Sequence, residues 1–541
     1  MTLAVLDLRL ADDDLRAAVA AAGWARDAGI TTVPPDDPAA VDAAVVLLVT
    51  DGPLDPQVTA DLDTARRDRP LLLVGPTLAA QRGDPLAEAA GVRAGGTTPK
   101  HEVRVRPQGA LRARGAVSEE WTDRVTSVES VDDDVDVHAT ANLSFADHPV
   151  LTYRPSTGIG TATLGAAPDA WRGRDLVRLL HRWLHVVADV RRPEPVGVGM
   201  VGYGAIGAEH ARAVAEVPGL TLAAVADRDP QRLEAALALT PGVRTTTDAD
   251  AVLADPDVGL VIVSTPPNSH AAWAHRVLDT GRHVVLEKPM ALTAEDCDAV
   301  LAHAAEVDRV ALVYQNRRFD PDFRVLQRLA ADGDLGEVFH LEAFVGGYGH
   351  PCNYWHSDAG VSGGALFDWG SHVVDQVLAL LPQPVEHVTG AHHKRVWHDV
   401  TNADHARLTI RFADGTEAEF VYSDLAAALK PRWYVLGTRG AVVGDWRQER
   451  VVARSPIGTL AEDVLAPADS PARMSLHHPD GSVTELAEPP APEHAFHHDL
   501  ADHLLEGMPM RVTPQQSRRV VAVLQAAEKS AQQGGQPVRP S

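Results

Sequence analysis

The chain has 541 residues, enough for two to four domains of ordinary size. Its net charge of −25 argues against nucleic-acid binding, because phosphate backbones are bound by clustered Lys and Arg. Two cysteines, Cys297 and Cys352, cannot build a disulfide framework and fit a reducing compartment. Residues 1–7 lack the features of a secretion signal, and no apolar run reaches the ~20 residues of a membrane span. We therefore expect a cytoplasmic protein with no membrane partner.

Residues 1–190 predict an α/β domain of the flavodoxin-like type. Short apolar runs at 43–49 and 71–74 alternate with helical patterns, which is typical of parallel strands joined by crossover helices. A helix with one apolar face is predicted over 176–187. The charged, proline-containing stretch 191–195 then predicts a linker.

Residues 195–315 predict a Rossmann dinucleotide-binding domain. Strands are predicted at 196–202, 220–227, 260–264, 283–286 and 310–313, with helical patterns between them. After the first strand comes the motif G-x-G-x-x-G, formed by Gly202, Gly204 and Gly207 around Ala205 and Ile206. Gly202 would make the tight turn, Gly204 would let the backbone approach a pyrophosphate, and Gly207 would pack the helix closely on the strand. The N–H groups that begin the helix would bind the phosphates.

An acidic residue stands where this domain type binds the adenosine ribose. Asp227 follows Gly207 by 20 positions and ends a predicted strand. A carboxylate there favours NAD, because it accepts hydrogen bonds from the ribose hydroxyls. The adjacent Arg228 could instead bind the 2′-phosphate of NADP. We expect NAD as the cofactor, with NADP possible.

Residues 316–541 predict an α/β domain with a large, mostly antiparallel open sheet. Leu408, Ile410 and Phe412 alternate with polar residues, and an Asp-Gly turn at Asp414 leads into a further strand, which together predict a hairpin. The histidine pair at 497–498 reads as solvated surface on a closing amphipathic helix.

Four motifs follow one another in the second and third regions. They are Ser264–His270, Glu287–Pro289, Tyr314–Asp320 and Gly363–His372. In this order they resemble the Gfo/Idh/MocA oxidoreductase family, over about residues 195–541. The resemblance implies a Rossmann domain and an open-sheet domain with a sugar, inositol or related polyol bound between them. It further implies a Lys288–Pro289 peptide bond that is often cis, and a homo-oligomer formed through the C-terminal sheet.

The motifs supply residues for acid–base chemistry. Asp368 and His372 are four positions apart, so on a helix they share one face, and histidine titrates near neutral pH. Lys288 could polarise the reacting oxygen as an ammonium, and Asp368 could orient the imidazole or bind a substrate hydroxyl. The alternatives are a surface salt bridge for Lys288, a structural helix histidine for His372 and a helix N-cap for Asp368.

Further binding residues are predicted from the same motifs. Beyond the glycine turn, Asp227 and Arg228, the predicted cofactor contacts are Thr265, Pro266, Asn268, His270, Glu287, Lys288 and Gln315. The predicted substrate contacts from the motifs are Lys288, Asp368 and His372. The stretch 346–356, rich in polar aromatic residues that suit a sugar, adds Tyr348, His350, Trp355 and His356. His350, Cys352 and His356 could instead be metal ligands, but hydride transfer needs no metal and we predict none.

The first region resembles a second family. Residues 147–151, 158–160 and 163–165 resemble the trehalose-utilisation ThuA family, whose fold is similar to that of class I glutamine amidotransferases. An amidotransferase needs a nucleophilic cysteine, and residues 1–190 contain none, so glutaminase activity of that kind is excluded. Such a domain could act on a keto-sugar product, but we favour a degenerate docking or oligomerisation domain.

Three functions are compatible with these motifs. The first is an NAD(P)-dependent oxidoreductase that transfers a hydride between nicotinamide and a hydroxyl or keto carbon of a sugar, cyclitol or polyol. The second is a redox-assisted lyase or glycosidase that recycles tightly held NAD. The third is a non-catalytic NAD-binding sensor, against which the pairing of Asp368 with His372 argues.

Overall fold

The computed structural model divides the chain into two compact units. The residues it describes are 4–8, 11, 13–21, 30–31, 44–49, 69–75, 88–99, 101–130, 132–143, 146–165, 168–171, 175–352, 354–455, 458–465, 470–489 and 493–541. The first unit comprises Met1–Pro195, Val217–Gly219 and His498–Met510, and the second comprises Val196–Glu216, Leu220–His497 and Arg511–Ser541.

The described part of the first unit contains both strands and helices. Its strands are β1 (Ala4–Asp7), β2 (Ile30–Thr31), β3 (Val45–Val49), β4 (Leu71–Val74), β5 (Val92–Thr97), β6 (His101–Pro107), β7 (Glu119–Asp123), β8 (Thr126–Ser130), β9 (Asp136–Leu143), β10 (Ala146–Arg154) and β11 (Ile159–Ala162), and its helices are α1 (Asp13–Ala21), α2 (Gly109–Ala113), a 3₁₀ turn (Pro168–Trp171) and α3 (Asp175–Val187).

One sheet organises this unit, in the order β2-β1-β3-β4-β11-β10-β9-β6-β7. The first five strands are parallel, and the remaining four are added antiparallel. Strands β3 and β4 are buried along their whole length, as expected for parallel strands covered on both faces. The parallel order matches that of flavodoxin-like sheets. Most residues between these strands lie outside the described part of the chain, so the flavodoxin-like class and the ThuA resemblance stay predictions.

A buried ion-pair network explains why residues 498–510 group with the first unit. Arg178 is 4% exposed and lies 3.2 Å from Glu119, 3.3 Å from Asp499 and 2.8 Å from Asp502. Arg182 also contacts Asp502. From the sequence alone, 498–510 are predicted to belong to the C-terminal domain. The sequence does not reveal ion pairs between groups more than 300 positions apart, such as those of Arg178 with Asp499 and Asp502.

Two histidines of α3 lie beside the same network. His181 Nε2 is 3.1 Å from the Glu506 carbonyl, and His185 Nδ1 is 3.4 Å from Glu506 Oε2. Burial lowers the pKa of His181 to about 4, so it is neutral. These groups could ligate a cation, but Arg114 already binds Glu506 Oε1 at 2.9 Å and Arg192 lies 3.8 Å from that oxygen. Two guanidinium charges oppose a bound cation, and we interpret the cluster as structural.

The second unit contains the Rossmann and C-terminal regions. Its strands are β12 (Val196–Val201), β13 (Leu220–Ala226), β14 (Arg244–Thr246), β15 (Leu260–Val263), β16 (His283–Leu286), β17 (Ala311–Val313), β18 (Val338–Gly346), β19 (Val385–His393), β20 (His405–Phe412), β21 (Glu417–Ser423), β22 (Trp433–Gly437), β23 (Gly440–Asp445), β24 (Gln448–Ser455), β25 (Gly458–Leu465), β26 (Arg473–His477) and β27 (Val483–Glu485). Its helices are α4 (Ala205–Glu216), α5 (Pro230–Leu239), α6 (Ala249–Ala254), α7 (His270–Asp279), α8 (Ala294–Glu306), α9 (Pro321–Asp332), α10 (Ala359–Ser362), α11 (Ala365–Leu380) and α13 (Pro514–Gln532), while α12 (Ala495–Glu506) begins in this unit and ends in the first.

The Rossmann sheet is parallel throughout, in the order β14-β13-β12-β15-β16-β17. The chain reverses its direction of winding beside β12, and ligands of such sheets bind at the carboxyl ends of the strands at this point. The predicted Rossmann domain is confirmed.

An eight-stranded sheet dominates the C-terminal region, in the order β19-β20-β21-β18-β22-β23-β26-β27. All pairs are antiparallel except β18 with β21. The predicted hairpin joins β20 to β21, and Gly415 adopts the left-handed φ of 93° that the turn requires. Phe412, Phe420 and Leu524 lie in the core that helices α11 and α13 share with this sheet. None of the described helices is long and apolar enough to cross a bilayer.

Candidate active site

The glycine turn after β12 leaves open space where its backbone faces a cavity. Gly202 has a φ of 93°, and a Cβ there would lie 2.6 Å from the Ser264 carbonyl oxygen. A Cβ on Gly207 would lie 2.8 Å from the Gly202 carbonyl oxygen, so helix and strand pack closely. A Cβ on Gly204 would meet nothing within 4 Å, and Gly204 lines the cavity. The open position is where an incoming ligand would approach the backbone.

The end of β13 is fixed to this turn by Asp227. Its Oδ2 accepts a hydrogen bond from the Tyr203 N–H at 2.6 Å, and its Oδ1 accepts one from the Asp229 N–H at 2.8 Å. Arg228 and Arg232 line the cavity beside it, with Arg232 Nη1 3.5 Å from Asp227 Oδ2. Arg232 was not predicted from the sequence, although it lies four positions after Arg228, in the first turn of helix α5.

Two adjoining cavities, of about 770 Å³ and 380 Å³, extend from the glycine turn to helix α11. Among the predicted cofactor contacts, those on one or both cavities are Gly202, Gly204, Ala205, Ile206, Gly207, Asp227, Arg228, Thr265, Pro266, Asn268, Glu287 and Lys288. Residues on the larger cavity that sequence analysis did not name as contacts include Ser264, Pro267, Tyr314, Asn316, Arg317, Tyr354, Ser362, Phe367 and Trp369. Most of these residues lie within one of the four motifs, and that position in the chain is the signal that could have identified them as cavity residues.

His270 and Gln315 were predicted as cofactor contacts but do not line either cavity. His270 is fully buried, with ring nitrogens 2.7 Å from the Pro289 carbonyl and 2.8 Å from the Thr265 carbonyl. Gln315 donates to the Ser371 carbonyl at 3.4 Å. Both therefore hold the wall of the site together.

A lysine–carboxylate pair lies at the far end of the larger cavity. Lys288 Nζ donates to Asp368 Oδ1 at 2.8 Å and to its carbonyl at 3.3 Å. Burial would raise the pKa of Asp368, but the Lys288 ammonium outweighs it and the pKa lies below its ordinary value. An ammonium carries three N–H donors, so one remains without a partner among the described residues. The Lys288–Pro289 peptide bond is cis.

His372 lies one turn beyond Asp368 on helix α11. Its Nδ1 is buried and has no hydrogen-bond partner within the described part of the chain. Burial, together with the nearby charges of Lys288, Arg317 and Arg432, holds the pKa of His372 well below its ordinary value. The imidazole is therefore neutral and can accept a proton. Asp368 binds Lys288, and the N-cap of the helix is Gly364, so Asp368 is not the cap.

The loop after β17 is fastened to helix α11. Arg318 makes a two-pronged ion pair with Asp375, with Nη2 2.8 Å from Oδ1. The Gln376 amide donates to the Arg317 carbonyl at 2.7 Å, and the Arg317 guanidinium lies 4.8 Å from the Trp369 ring centre. These contacts hold helix α11 against the Rossmann sheet edge.

The predicted substrate contacts divide into two groups. Trp355 and His356 line the larger cavity, and their rings stack 3.6 Å apart. Tyr348 and His350 do not line it: Tyr348 is 62% exposed, and His350 Nε2 lies 2.8 Å from Asp399. Cys352 Sγ contacts Ser357 Oγ at 3.3 Å, whereas His356 Nδ1 has no hydrogen-bond partner in the described part of the chain. Among the described residues, His350, Cys352 and His356 do not form a group with the spacing of metal ligands.

Comparison with known proteins gives the family. Residues 196–315 match the oxidoreductase family with an NAD-binding Rossmann fold, and residues 323–443 match the GFO/IDH/MocA C-terminal domain. The inositol 2-dehydrogenase of Rhizobium meliloti is 31% identical over 46% of this chain and 76% of its own length. The chain belongs to the Gfo/Idh/MocA family.

Two further relatives of this Gfo/Idh/MocA protein bear on its cofactor. The scyllo-inositol 2-dehydrogenase (NADP⁺) IolW of Bacillus subtilis is 24% identical over 63% of this chain and 96% of its own length. The crystal structure of GenD2 from gentamicin A biosynthesis, in complex with NAD, has a TM-score of 0.54 and 28% identity, covering 65% of this chain and 98% of that one.

The protein is an NAD(P)-dependent oxidoreductase, and its own residues fit the cofactor. The open position at Gly204 and the first N–H groups of α4 suit a pyrophosphate, and Asp227 lies where a ribose would be bound. Lys288 and His372 then line the other end of the same cavity.

Proposed function

We propose that this Gfo/Idh/MocA protein oxidises a hydroxyl-bearing carbon of a cyclitol or sugar and reduces the corresponding ketone in the reverse direction. One observation carries the proposal: the glycine turn, Lys288, Asp368 and His372 line one cavity of about 770 Å³. Its size suits a nicotinamide half with a small ring, since ligand cavities run from ~300 to ~1,000 Å³.

Each side chain has a separate task in this proposal. When bound, the nicotinamide takes up the hydride from the carbon or returns it. The free N–H of Lys288 donates to the reacting oxygen and stabilises the negative charge that develops there. His372, whose neutral imidazole lines the same cavity, accepts the hydroxyl proton.

The rest of the cavity suits a polyhydroxylated ring. The stacked rings of Trp355 and His356 offer a flat face to the C–H side of such a ring. Asp368 is 34% exposed and retains acceptor capacity for a neighbouring hydroxyl. The named inositol dehydrogenases among the relatives support the same substrate class.

We further propose that the enzyme uses NAD preferentially and accepts NADP. Asp227 favours a ribose with free hydroxyls, whereas Arg228 and Arg232 bring two positive charges to the same end of the cavity. For the first unit we propose a degenerate docking or oligomerisation domain with a flavodoxin-like fold, since it has no cysteine nucleophile and its buried arginines Arg114 and Arg178 are bound by carboxylates of the same unit.

The test is a panel of inositols, sugars and their keto forms, assayed with NAD and NADP by the absorbance of reduced nicotinamide. We expect stoichiometric cofactor reduction with at least one cyclitol or sugar. Product formed without net cofactor reduction would replace the proposal with the redox-assisted lyase. Nucleotide binding without any turnover would favour the sensor.

A further inference from the structure

A buried histidine lies directly behind the Glu287-Lys288-Pro289 motif. His210 is on helix α4, and its side chain is fully buried. Its Nε2 lies 2.9 Å from Glu287 Oε1, and its Nδ1 lies 2.8 Å from His497 Nε2. His497 is itself fully buried, so the predicted surface position of the 497–498 pair was wrong.

Only one arrangement of protons satisfies this chain with neutral rings. An ionised carboxylate accepts but cannot donate, so His210 donates from Nε2 to Glu287. Its Nδ1 then lacks a proton and accepts the Nε2–H of His497. The hydrogen bonds therefore run in one direction, from His497 through His210 to Glu287.

Aromatic neighbours keep the His210 ring in place. The Tyr314 ring lies 4.3 Å from His210 and 5.1 Å from Phe496, measured between ring centres. The Tyr314 hydroxyl is fixed in turn by donating to Glu209 at 2.8 Å. A ring that contacts an aromatic neighbour and is hydrogen-bonded at both nitrogens cannot change orientation without breaking several contacts.

Glu287 connects this buried chain to the cavity. Its side chain is 12% exposed and lines the larger cavity, and its Oε2 accepts the Lys288 N–H at 3.2 Å. One oxygen is thus held by His210 and the other by the backbone of the residue that carries the ammonium. The carboxylate charge is fixed on the cavity wall next to Lys288.

We propose that His210 is a positioning residue that holds the Glu287 carboxylate in place against the cavity, and that this carboxylate favours the oxidised cofactor over the reduced one. The inference rests on the proposed function, which brings the nicotinamide beside Lys288. The oxidised ring is positively charged and the reduced ring is neutral, so a fixed carboxylate nearby stabilises the first more than the second.

The test compares the variants His210→Phe, His210→Gln and Glu287→Gln with the double variant His210→Phe/Glu287→Gln. Phenylalanine keeps the ring packing and removes both nitrogens, whereas glutamine keeps an N–H that can reach Glu287. Dissociation constants for NAD⁺ and NADH are measured by calorimetry and by nicotinamide fluorescence. Thermal unfolding of each variant reports whether it is folded.

We expect His210→Phe and Glu287→Gln each to weaken NAD⁺ binding about tenfold and NADH binding by less than about threefold. His210→Gln restores most of the NAD⁺ affinity, and the double variant is no weaker than either single one, because both changes act through the same carboxylate. Equal weakening of NAD⁺ and NADH, or multiplication of the two effects, would overturn the inference.

Two further results keep the inference separate from other failures. If His210→Phe does not fold, the same comparison is made between Glu287→Gln and His210→Gln, and equal NAD⁺ affinities in those two would refute it. Absence of turnover on every polyol, with the NAD⁺ selectivity intact, would remove the proposed substrate class and leave this inference standing, because it is measured by binding alone.

Discussion

The two units bury charge in different ways. In the first unit Arg178 is only 4% exposed and is enclosed by three carboxylates. In the second unit Lys288 and Asp368 form a single pair, with side chains 18% and 34% exposed to a cavity. In the first arrangement the guanidinium donors are bound by carboxylates of the protein. In the second, one ammonium N–H of Lys288 has no partner among the described residues, and the neutral His372 lines the same cavity.

This difference separates a structural charge cluster from a functional one. A closed network contributes to stability only while all its partners are present, because each charge left alone in the interior is costly. An open pair beside an unpartnered nitrogen can instead bind a ligand or move a proton. The following predictions test that distinction.

The largest effect is expected at the open pair. Lys288→Ala removes the donor to the reacting oxygen, and we expect turnover to fall about 10³-fold. NADH still binds, because the negative charge that Lys288 stabilises develops on that oxygen only during the reaction. Steady-state rates and fluorescence titration measure the two quantities. The matched control is Lys430→Ala, which removes a more exposed lysine paired with Glu342 in the same unit. Equal rate losses in both variants would contradict the assignment.

The closed network predicts a loss of stability instead. Arg178→Met removes one guanidinium partner from each of the buried carboxylates of Asp499 and Asp502 and lowers the free energy of unfolding by about 3–5 kcal/mol. Chemical denaturation measures it, and turnover per folded molecule stays constant. Arg191→Met, in a surface pair with Glu194, is the control and changes neither quantity measurably.

The same network predicts a window of acid sensitivity. Burial alone would raise the pKa of Asp502, but Arg182 and Arg178 outweigh it and lower the pKa from 3.8 to about 2. A lowered carboxyl pKa stabilises the folded state above pH ~4, and this contribution is lost as the pH falls from about 4 to about 2. Asp502→Asn therefore lowers stability at neutral pH and flattens this part of the profile. An unchanged profile would show that the pair contributes nothing.

The sequence predicted those parts of the site that are encoded by neighbours in the chain. The glycine turn, the Glu287–Pro289 motif and the four-residue spacing of Asp368 and His372 each carry their chemistry within one short segment. The Rossmann strands were recognised for the same reason, because continuous apolar runs of four to six residues are local.

What the sequence missed depends on partners far along the chain. Asp375 acquires its role from Arg318, and His210 from Glu287 and His497, which lie 57, 77 and 287 positions away respectively. Periodicity can show that such a residue faces inward but not which group it meets. Composition likewise does not determine which way Tyr348 faces, because an aromatic residue in a polar loop can point toward a cavity or toward solvent.

A smaller effect is expected from pH at the open pair. Burial and nearby cations hold the pKa of His372 well below its ordinary value of ~6.5. The imidazole therefore stays neutral at pH 7 and also at pH values somewhat below 6.5. The kcat/KM for alcohol oxidation is therefore flat near neutrality and falls only at acidic pH. His372→Gln lowers kcat about 10²-fold and removes this acidic fall. A fall centred near pH 6.5 would show an unperturbed histidine.

The smallest effect concerns the mouth of the cavity, where cations are exposed rather than enclosed. Arg232 is 53% exposed, and its Nη1 lies 3.5 Å from Asp227 Oδ2. This ion pair is more open to solvent than those of Arg178 in the first unit. The charge of Arg232 is therefore available to a 2′-phosphate together with that of Arg228. Arg228→Gln/Arg232→Gln raises the KM for NADP about tenfold and changes that for NAD less than about twofold, since only NADP carries the added charge. Equal changes for both cofactors would show that the two arginines act on the nucleotide as a whole, and the distinction between enclosed and open charge would then not extend to the cavity mouth.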